Sequence, residues 1–408
     1  MAQTPLTRRR FISRSASVGG ALAAGSLFQP YAATMGRAAQ PRARGVWLPG
    51  DLHTHSTYSH DVYGGPTDDN TGPDEAYTLG LPVAGKFAEG GKRGLRFMAV
   101  TDHNDVRSVP ELASASGGVI AIPAYEHSIK GHAQMLGATK LYPAGDQAAD
   151  AINAMANALR ASGGVFQANH PAYKVALDAE FHACDNAGCA DCRAIHWTYG
   201  FDVRPDTIEV WNPSVARSDV SETYWECWLD RGERVGGTGG SDSHWLSLHG
   251  IAGPGQPTTW VYAREASLAG VLQGLREGRT TVSGQPPGLG GPRLLLSAPR
   301  EGMIGDTVAP GTKLRVTAPG LKVPAVVRIR ANGHQVLEQE LDPGGTVTLK
   351  APREAGWVRT ILLAKQKLAT STTTELGDAT PTRDGLPLLA LSSPMYLRQP
   401  ALALRRTL

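Results

Sequence analysis

Histidine is distributed very unevenly along this 408-residue chain: eleven of the twelve lie between His53 and His249, and only His334 falls beyond. Within that span they gather in short polar clusters, each directly after an apolar run. The clusters are Asp51-Leu52-His53-Thr54-His55 continuing to His60-Asp61, then Thr101-Asp102-His103-Asn104, Tyr125-Glu126-His127 with Gly131-His132, Asn169-His170-Pro171, and Ser241-Asp242-Ser243-His244. Residues two apart on an extended strand point to the same side, so His53 and His55 can grip one ion, and Asp242 and His244 repeat the spacing. A fold that serves these clusters must bring the ends of several strands to one place. Imidazole together with carboxylate suits zinc, manganese or iron. Five clusters offer more ligands than one ion takes, so two or three divalent ions are expected.

The apolar runs that precede the clusters read as strands at 46–52, 95–101, 119–124, 133–137, 165–168, 207–211, 235–239 and 258–262. Helical patterns fall between them at 74–89, 146–161, 221–234 and 267–277. Continuous apolar strands interleaved with helices predict an α/β fold with a parallel sheet, and their number over 40–283 suits a closed barrel better than an open sheet. Residues 284–291 are rich in Gly and Pro and read as a linker. From 292 to 408 the pattern changes to alternating strands, at 313–317, 326–331, 346–350 and 358–364, with turns such as Asn332-Gly333. That pattern predicts a small all-β sandwich as a second domain.

The formal charge of +3 raises the question of an anionic polymer as partner, but its position answers it. Arg8, Arg9, Arg10, Arg14 and Arg37 all precede residue 40, the first acid is Asp51, and the remainder carries −2. A nucleic-acid role is therefore disfavoured. No run of 18 apolar residues offers a membrane span. Thr7-Arg8-Arg9-Arg10-Phe11-Ile12, a weakly apolar stretch and small residues up to Ala39 describe an export signal over residues 1–39. The paired arginines resemble the twin-arginine type, which implies the Tat export machinery as a partner and a periplasmic or secreted mature protein.

The ordered set of clusters resembles the PHP (polymerase and histidinol phosphatase) superfamily of metallohydrolases, over nearly the whole span from Gly50 to Ser283. The resemblance implies a distorted (βα)7 barrel holding up to three metal ions. Carried onto this sequence, the implied ligands are His53, His55, His103, Glu126, His132, His170, Asp242 and His244. Asp61 is favoured as the ninth, with His60 the alternative there or a proton donor. The Gly-Asp-Leu-His opening, the export signal and the β-rich tail look most like the exported carbaryl-hydrolase-like (CehA/McbA) branch. The superfamily resemblance implies a metal-activated hydroxide acting on a phosphoester; the branch resemblance implies carbamate, ester or amide cleavage with the same nucleophile. A non-catalytic metal- or anion-binding protein is the reading of another class. The expected partner is a small ester-like substrate, and the sequence sets no oligomeric state.

Asp102 is expected to orient a ligand imidazole through its second ring nitrogen. Glu209 and Asn212 end another strand; they bind substrate, support ligands, or cap the strand. Cys184, Cys189 and Cys192 lie in an insertion over 172–204, expected to cover the pocket mouth, and Cys227 follows. These four cysteines form disulfides, hold a structural zinc, or stay free. The aromatic run Tyr224–Trp228 reads as the packing face of a helix.

Overall fold

The apolar run at Val46–Asp51 is the first strand, β1, and its neighbours organise the metal-rich half of the chain. The structure, a computed structural model, describes residues 45–60, 80–171, 197–213, 218–244, 253–366, 373–374, 377–378 and 381–398. On one side β1 pairs in parallel with β2 (Phe97–Val100), and β2 with β3 (Ile120–Pro123). After β3 the chain forms a second sheet of β4 (Glu126–His127), β5 (Ala133–Leu136), β6 (Val165–Ala168), β7 (Thr207–Trp211) and β8 (Gly236–Gly239). The other edge of β1 pairs antiparallel with β9 (Thr258–Ala263), which pairs antiparallel with β10 (Thr280–Ser283).

All eight strands predicted for this half are present. The parallel barrel is not reproduced as one ladder: among the described residues the strands fall into two mixed sheets. Antiparallel β5 and β9 are covered on both faces, so they lack the apolar/polar alternation of a half-exposed strand and read like parallel ones. The residues 128–132 between β4 and β5 are too few for a parallel crossover, which forces a hairpin. The two sheets meet at both edges. On one edge His103 bridges to Glu126. On the other, Thr259 Oγ1 donates to the Gly239 carbonyl at 2.6 Å and Thr280 Oγ1 to that of Gly237 at 2.7 Å.

The helices are α1 (Val83–Lys92), α2 (Leu112–Ala115), α3 (Ala149–Ala161), α4 (Ser218–Asp230) and α5 (Leu268–Arg276). Helix α3 turns a narrow apolar face of Ile152, Met155, Ala156 and Leu159 to the sheets, whereas α4 is buried around most of its circumference. Tyr224, Trp225 and Trp228 of α4 are buried in the core, which is the packing role expected of that aromatic run.

The β-rich tail is present, and it is joined to the first half by a ladder. Strand Leu386–Ser392 pairs with β10 through Thr281–Ser392 and Val282–Leu391, so the first sheet runs past residues 284–291 into strands Gly356–Ala364 and Ala325–Ala331. A four-stranded sheet built on Leu295–Ala298 and Lys313–Thr317 encloses a second core with Val327, Ile329, Val358 and Leu362. The opposite face of the shared sheet packs on α4, where Glu222 and Glu226 are buried against guanidinium groups. Arg359 Nη2 donates to both carboxylates at 2.6 Å, Arg330 holds Glu226 at 2.6 and 2.7 Å, and Arg383 also holds Glu222. Cys227, on the same helix, is disulfide-bonded, with its partner outside the described residues; this is the first of the three readings for that residue.

Candidate metal centre

Two hydrogen bonds set how His53 and His55 face the site. His53 Nδ1 lies 2.9 Å from Glu209 Oε1, so its N–H points to that carboxylate. His55 Nδ1 lies 2.8 Å from Ser59 Oγ. That hydroxyl also accepts from the His103 backbone N–H at 3.1 Å and donates to Asp102 Oδ1 at 3.3 Å, which uses its single proton and both lone pairs. Both histidines therefore present bare Nε2 atoms inward when neutral. These atoms stand 3.1 Å apart, and Asp242 Oδ1 stands 3.2 Å from each. Three electron-pair donors this close repel one another unless a cation or proton lies among them.

Glu126 enters from the other sheet and repeats the pattern. Its Oε1 is 3.2 Å from His132 Nδ1, 3.4 Å from His170 Nε2 and 3.5 Å from His53 Nε2. Its Oε2 is 2.8 Å from His103 Nδ1 and 3.8 Å from His55 Nε2. Asn169 Nδ2 donates to Oε1 at 2.7 Å and fixes the carboxylate plane. The side chain is fully buried, whereas that of His132 is 33% exposed, so the site opens to solvent past His132.

Four overlapping ligand groups result: His53, His55 and Asp242; His55, His103 and His244; His103, Glu126 and His132; and His53, His170 and Glu209. Within each, the ligand atoms all lie within 4.8 Å of one another. The mixture of imidazole nitrogen and carboxylate oxygen fits divalent zinc, manganese or iron. Sharing of His53, His55 and His103 between groups fits more than one ion.

Backbone geometry at the strand ends aims these side chains. Asp242 (φ 51°) and His170 (φ 24°) occupy the left-handed region, unusual for residues other than glycine. Asp242 N donates to the His53 carbonyl at 2.8 Å, and His55 N to that of Ser243 at 3.0 Å, which docks the end of β8 onto the end of β1. His244 Nδ1 donates to the Asp242 carbonyl at 2.9 Å, and its ring stacks on His55 with centroids 4.1 Å apart.

Electrostatics tie the groups together. Burial pushes the Glu126 carboxyl up, but His53, His132 and His103 outweigh it and hold the group well below the ordinary range. Burial is likewise outweighed at Asp242, by His53, His55 and His244. Burial pulls His53 down, yet Asp242, Glu209 and Glu126 raise it well above its ordinary value. A proton on His53 would therefore compete with an ion for this place, and binding of an ion would release it. His55 is driven well down by burial and by His244 and His103.

Eight of the nine residues expected as ligands are brought together; Asp61 lies outside the described residues. His60 is exposed at the rim, its ring 5.2 Å from that of His103. The Asp102 carboxylate accepts from Ser56 N at 2.6 Å and Ser56 Oγ at 2.8 Å, and it reaches His55 through the Ser59 hydroxyl. Its expected orienting role is therefore indirect. Asn212 Nδ2 donates to Glu209 Oε2 at 3.0 Å and lies 3.3 Å from Asp242 Oδ2, beside the ligands in the supporting position that the sequence left open. Of the insertion at 172–204, only 197–204 is described. There Trp197 Nε1 donates to the His132 carbonyl at 3.0 Å and Tyr199 donates to that of Lys130 at 2.5 Å, pinning the loop that carries His132. Cys184, Cys189 and Cys192 lie outside the described residues.

Three supporting residues went unassigned in the sequence: Ser59, Asn169 and Lys86. Ser59 and Asn169 sit inside the quoted clusters. Lys86 had a subtler signal, since it falls on the same helical face as Val83, Phe87 and Gly90, where an apolar residue is expected.

No family model matches the chain, and no curated protein matches it. Among solved structures it is similar to a two-domain protein from Bacteroides vulgatus, described as containing a predicted PHP-like metal-dependent phosphoesterase. Identity there is 15%, coverage is 88% of this chain and 100% of that one, and the TM-score is 0.40. It is also similar to an amidohydrolase from Chromobacterium violaceum solved with bound sulfate and no metal, at 16% identity, over 48% of this chain and 87% of that one, with a TM-score of 0.28.

Proposed function

We propose that the chain is a metal-dependent hydrolase of phosphoesters, of PHP type, with two or three divalent ions held by His53, His55, His103, Glu126, His132, His170, Asp242 and His244. The observation that carries this reading is Glu126, whose two oxygens face four ligand imidazoles within 3.5 Å from a fully buried position. Ions bound there would lower the pKa of a water to about 7 and polarise the oxygen of the group attacked.

The chain's own residues supply the rest. Glu209 and the Ser59–Asp102 pair hold the His53 and His55 rings in one tautomer. Asn169 holds the Glu126 carboxylate in plane, and Asn212 spans Glu209 and Asp242. His60, exposed at the rim beside His103, stands where it can give a proton to a leaving group. The opening past His132 admits the substrate.

The donor set favours an anionic substrate. Among the described residues six imidazoles accompany three carboxylates, Glu126, Asp242 and the adjoining Glu209; with Asp61 as a fourth, two divalent ions would balance the site and three would leave it with a positive excess that attracts a phosphoester. Export, proposed from the arginine-led N-terminus, is supported by the disulfide at Cys227, since such bonds persist in oxidising compartments.

Turnover of a phosphomonoester, a phosphodiester and an aryl carbamate by metal-loaded protein, with Glu126→Ala alongside, tests the reading. Phosphoester hydrolysis that disappears in the variant is expected. Carbamate turnover alone would assign the carbaryl-hydrolase type of chemistry instead, and tight metal binding with no turnover across the panel would leave a binding protein.

A further inference from the structure

The most unusual group near the centre is outside every ligand set. Lys86, on α1, is completely buried, and among the described residues no carboxylate lies within ion-pair distance of its ammonium. Its nitrogen donates to the Ser243 carbonyl at 2.6 Å and meets the Ser243 hydroxyl at 3.3 Å. Ser243 stands between Asp242 and His244, and its carbonyl also accepts the His55 N–H, so both lone pairs are engaged. Val83 and Phe87 on the same face pack into an apolar cluster with Leu95, Met98 and Val100. An aliphatic side chain would satisfy that packing without burying an amine, so the nitrogen itself must account for the lysine. The charges facing it are Asp102, Asp51, Asp242 and Arg93.

We infer that Lys86 is a positioning residue of the metal centre: it clamps the Asp242–Ser243–His244 turn from behind, so that Asp242 stays aimed at the group it forms with His53 and His55, and His244 at the group it forms with His55 and His103. This rests on the reading of the site as a metal centre. It deepens that reading by assigning the affinity of the two groups that contain Asp242 and His244 to a residue that belongs to neither.

The test is titration of metal-stripped protein with Zn²⁺ and, separately, Mn²⁺, in wild type, Lys86→Met and Lys86→Gln. Ion count, affinities and the thermal midpoint of the metal-free form are read for each. Outer supports of metal ligands typically carry about 10- to 100-fold in affinity. Lys86→Met is expected to weaken binding at the groups containing Asp242 and His244 by about that factor, leave any ion held through Glu126 and His132 or through His170 unchanged, and leave the metal-free midpoint unchanged or higher. Lys86→Gln, which keeps an N–H donor on a shorter chain, is expected to recover part of the loss.

Wild-type affinity for every ion in Lys86→Met would overturn the inference and leave the metal centre standing. So would an equal loss at all ions that follows a fall in metal-free stability, or failure of both variants to fold, since either marks a merely structural lysine. A wild-type protein that binds no metal would overturn the inference and the centre together.

Discussion

The ring of His53 is held from behind by Glu209: Nδ1 lies 2.9 Å from Oε1, leaving Nε2 to face Asp242 at 3.2 Å and Glu126 at 3.5 Å. Glu209 also accepts the His170 backbone N–H at 3.0 Å, so one carboxylate orients two candidate ligands. Replacing it by Ala should weaken metal binding by about 10- to 100-fold, as loss of such supports does elsewhere. Glu209→Gln, able to accept but not to balance charge, should fall between. Metal titration of both variants checks this; equal affinities in all three proteins would remove Glu209 from the site.

Ser59 does for His55 what Glu209 does for His53, with Asp102 behind it. Ser59→Ala deletes the acceptor for the ring N–H and for the His103 backbone N–H together. An affinity loss of about tenfold is expected, with little change in fold by circular dichroism. If the Asp102 link matters only through this hydroxyl, Asp102→Asn should add little to Ser59→Ala in the double variant.

Gly240 lies where the end of β8 crosses β1 and β7. A Cβ there would stand 2.3 Å from Glu209 Oε1 and 2.4 Å from His53 Cβ, both of which are locked in place. Gly240→Ala should therefore cost about 1–3 kcal/mol of stability and lower metal affinity at the same time. Thermal unfolding with and without metal separates the two effects, and a variant with the wild-type metal-induced rise in midpoint would contradict the geometry.

The residues that converge at the candidate centre were legible in the sequence because strand periodicity and apolar runs place a residue at a strand end without any knowledge of sheet order. His53 and His55 show this by alternation alone, and Glu126 and His170 by following apolar runs. Strand direction was not legible: β9 and β5 are buried on both faces, and nothing in Thr258–Ala263 separates an antiparallel central strand from a parallel one. β10, Thr-Thr-Val-Ser, lacks an apolar run, because Thr280 and Thr281 spend their hydroxyls on neighbouring carbonyls. The same limit hid the bond between the two halves, since the pairing of Thr281 with Ser392 spans 111 positions. The support layer was only partly legible. Asp102 stood out, but the hydroxyl that connects it to His55 and the lysine behind Ser243 depend on contacts that only the assembled fold makes.

Glu222 predicts a distinct acid transition. Burial pushes its carboxyl up from 4.5, but Arg383 and Arg359 outweigh burial and hold it at about 2. The group therefore stabilises the fold fully above its unfolded value near 4.5 and loses that contribution as pH falls toward about 2. The difference amounts to about 3 kcal/mol. Glu222→Gln should be less stable than wild type at pH 7 by a similar amount, with a flatter profile through that window. Thermal midpoints measured from pH 7 down to pH 2 decide it, and parallel profiles for the two proteins would remove the arginine pairing from acid stability.

The central claim is a multi-ion centre in which Glu126 is shared. It is tested most directly by elemental analysis of the purified protein, counting divalent ions per chain in wild type and in Glu126→Ala. Two or three ions of zinc, manganese or iron are predicted for wild type, with at least one lost in the variant. One ion or none in the wild-type protein after loading, or an unchanged count in Glu126→Ala, would contradict it.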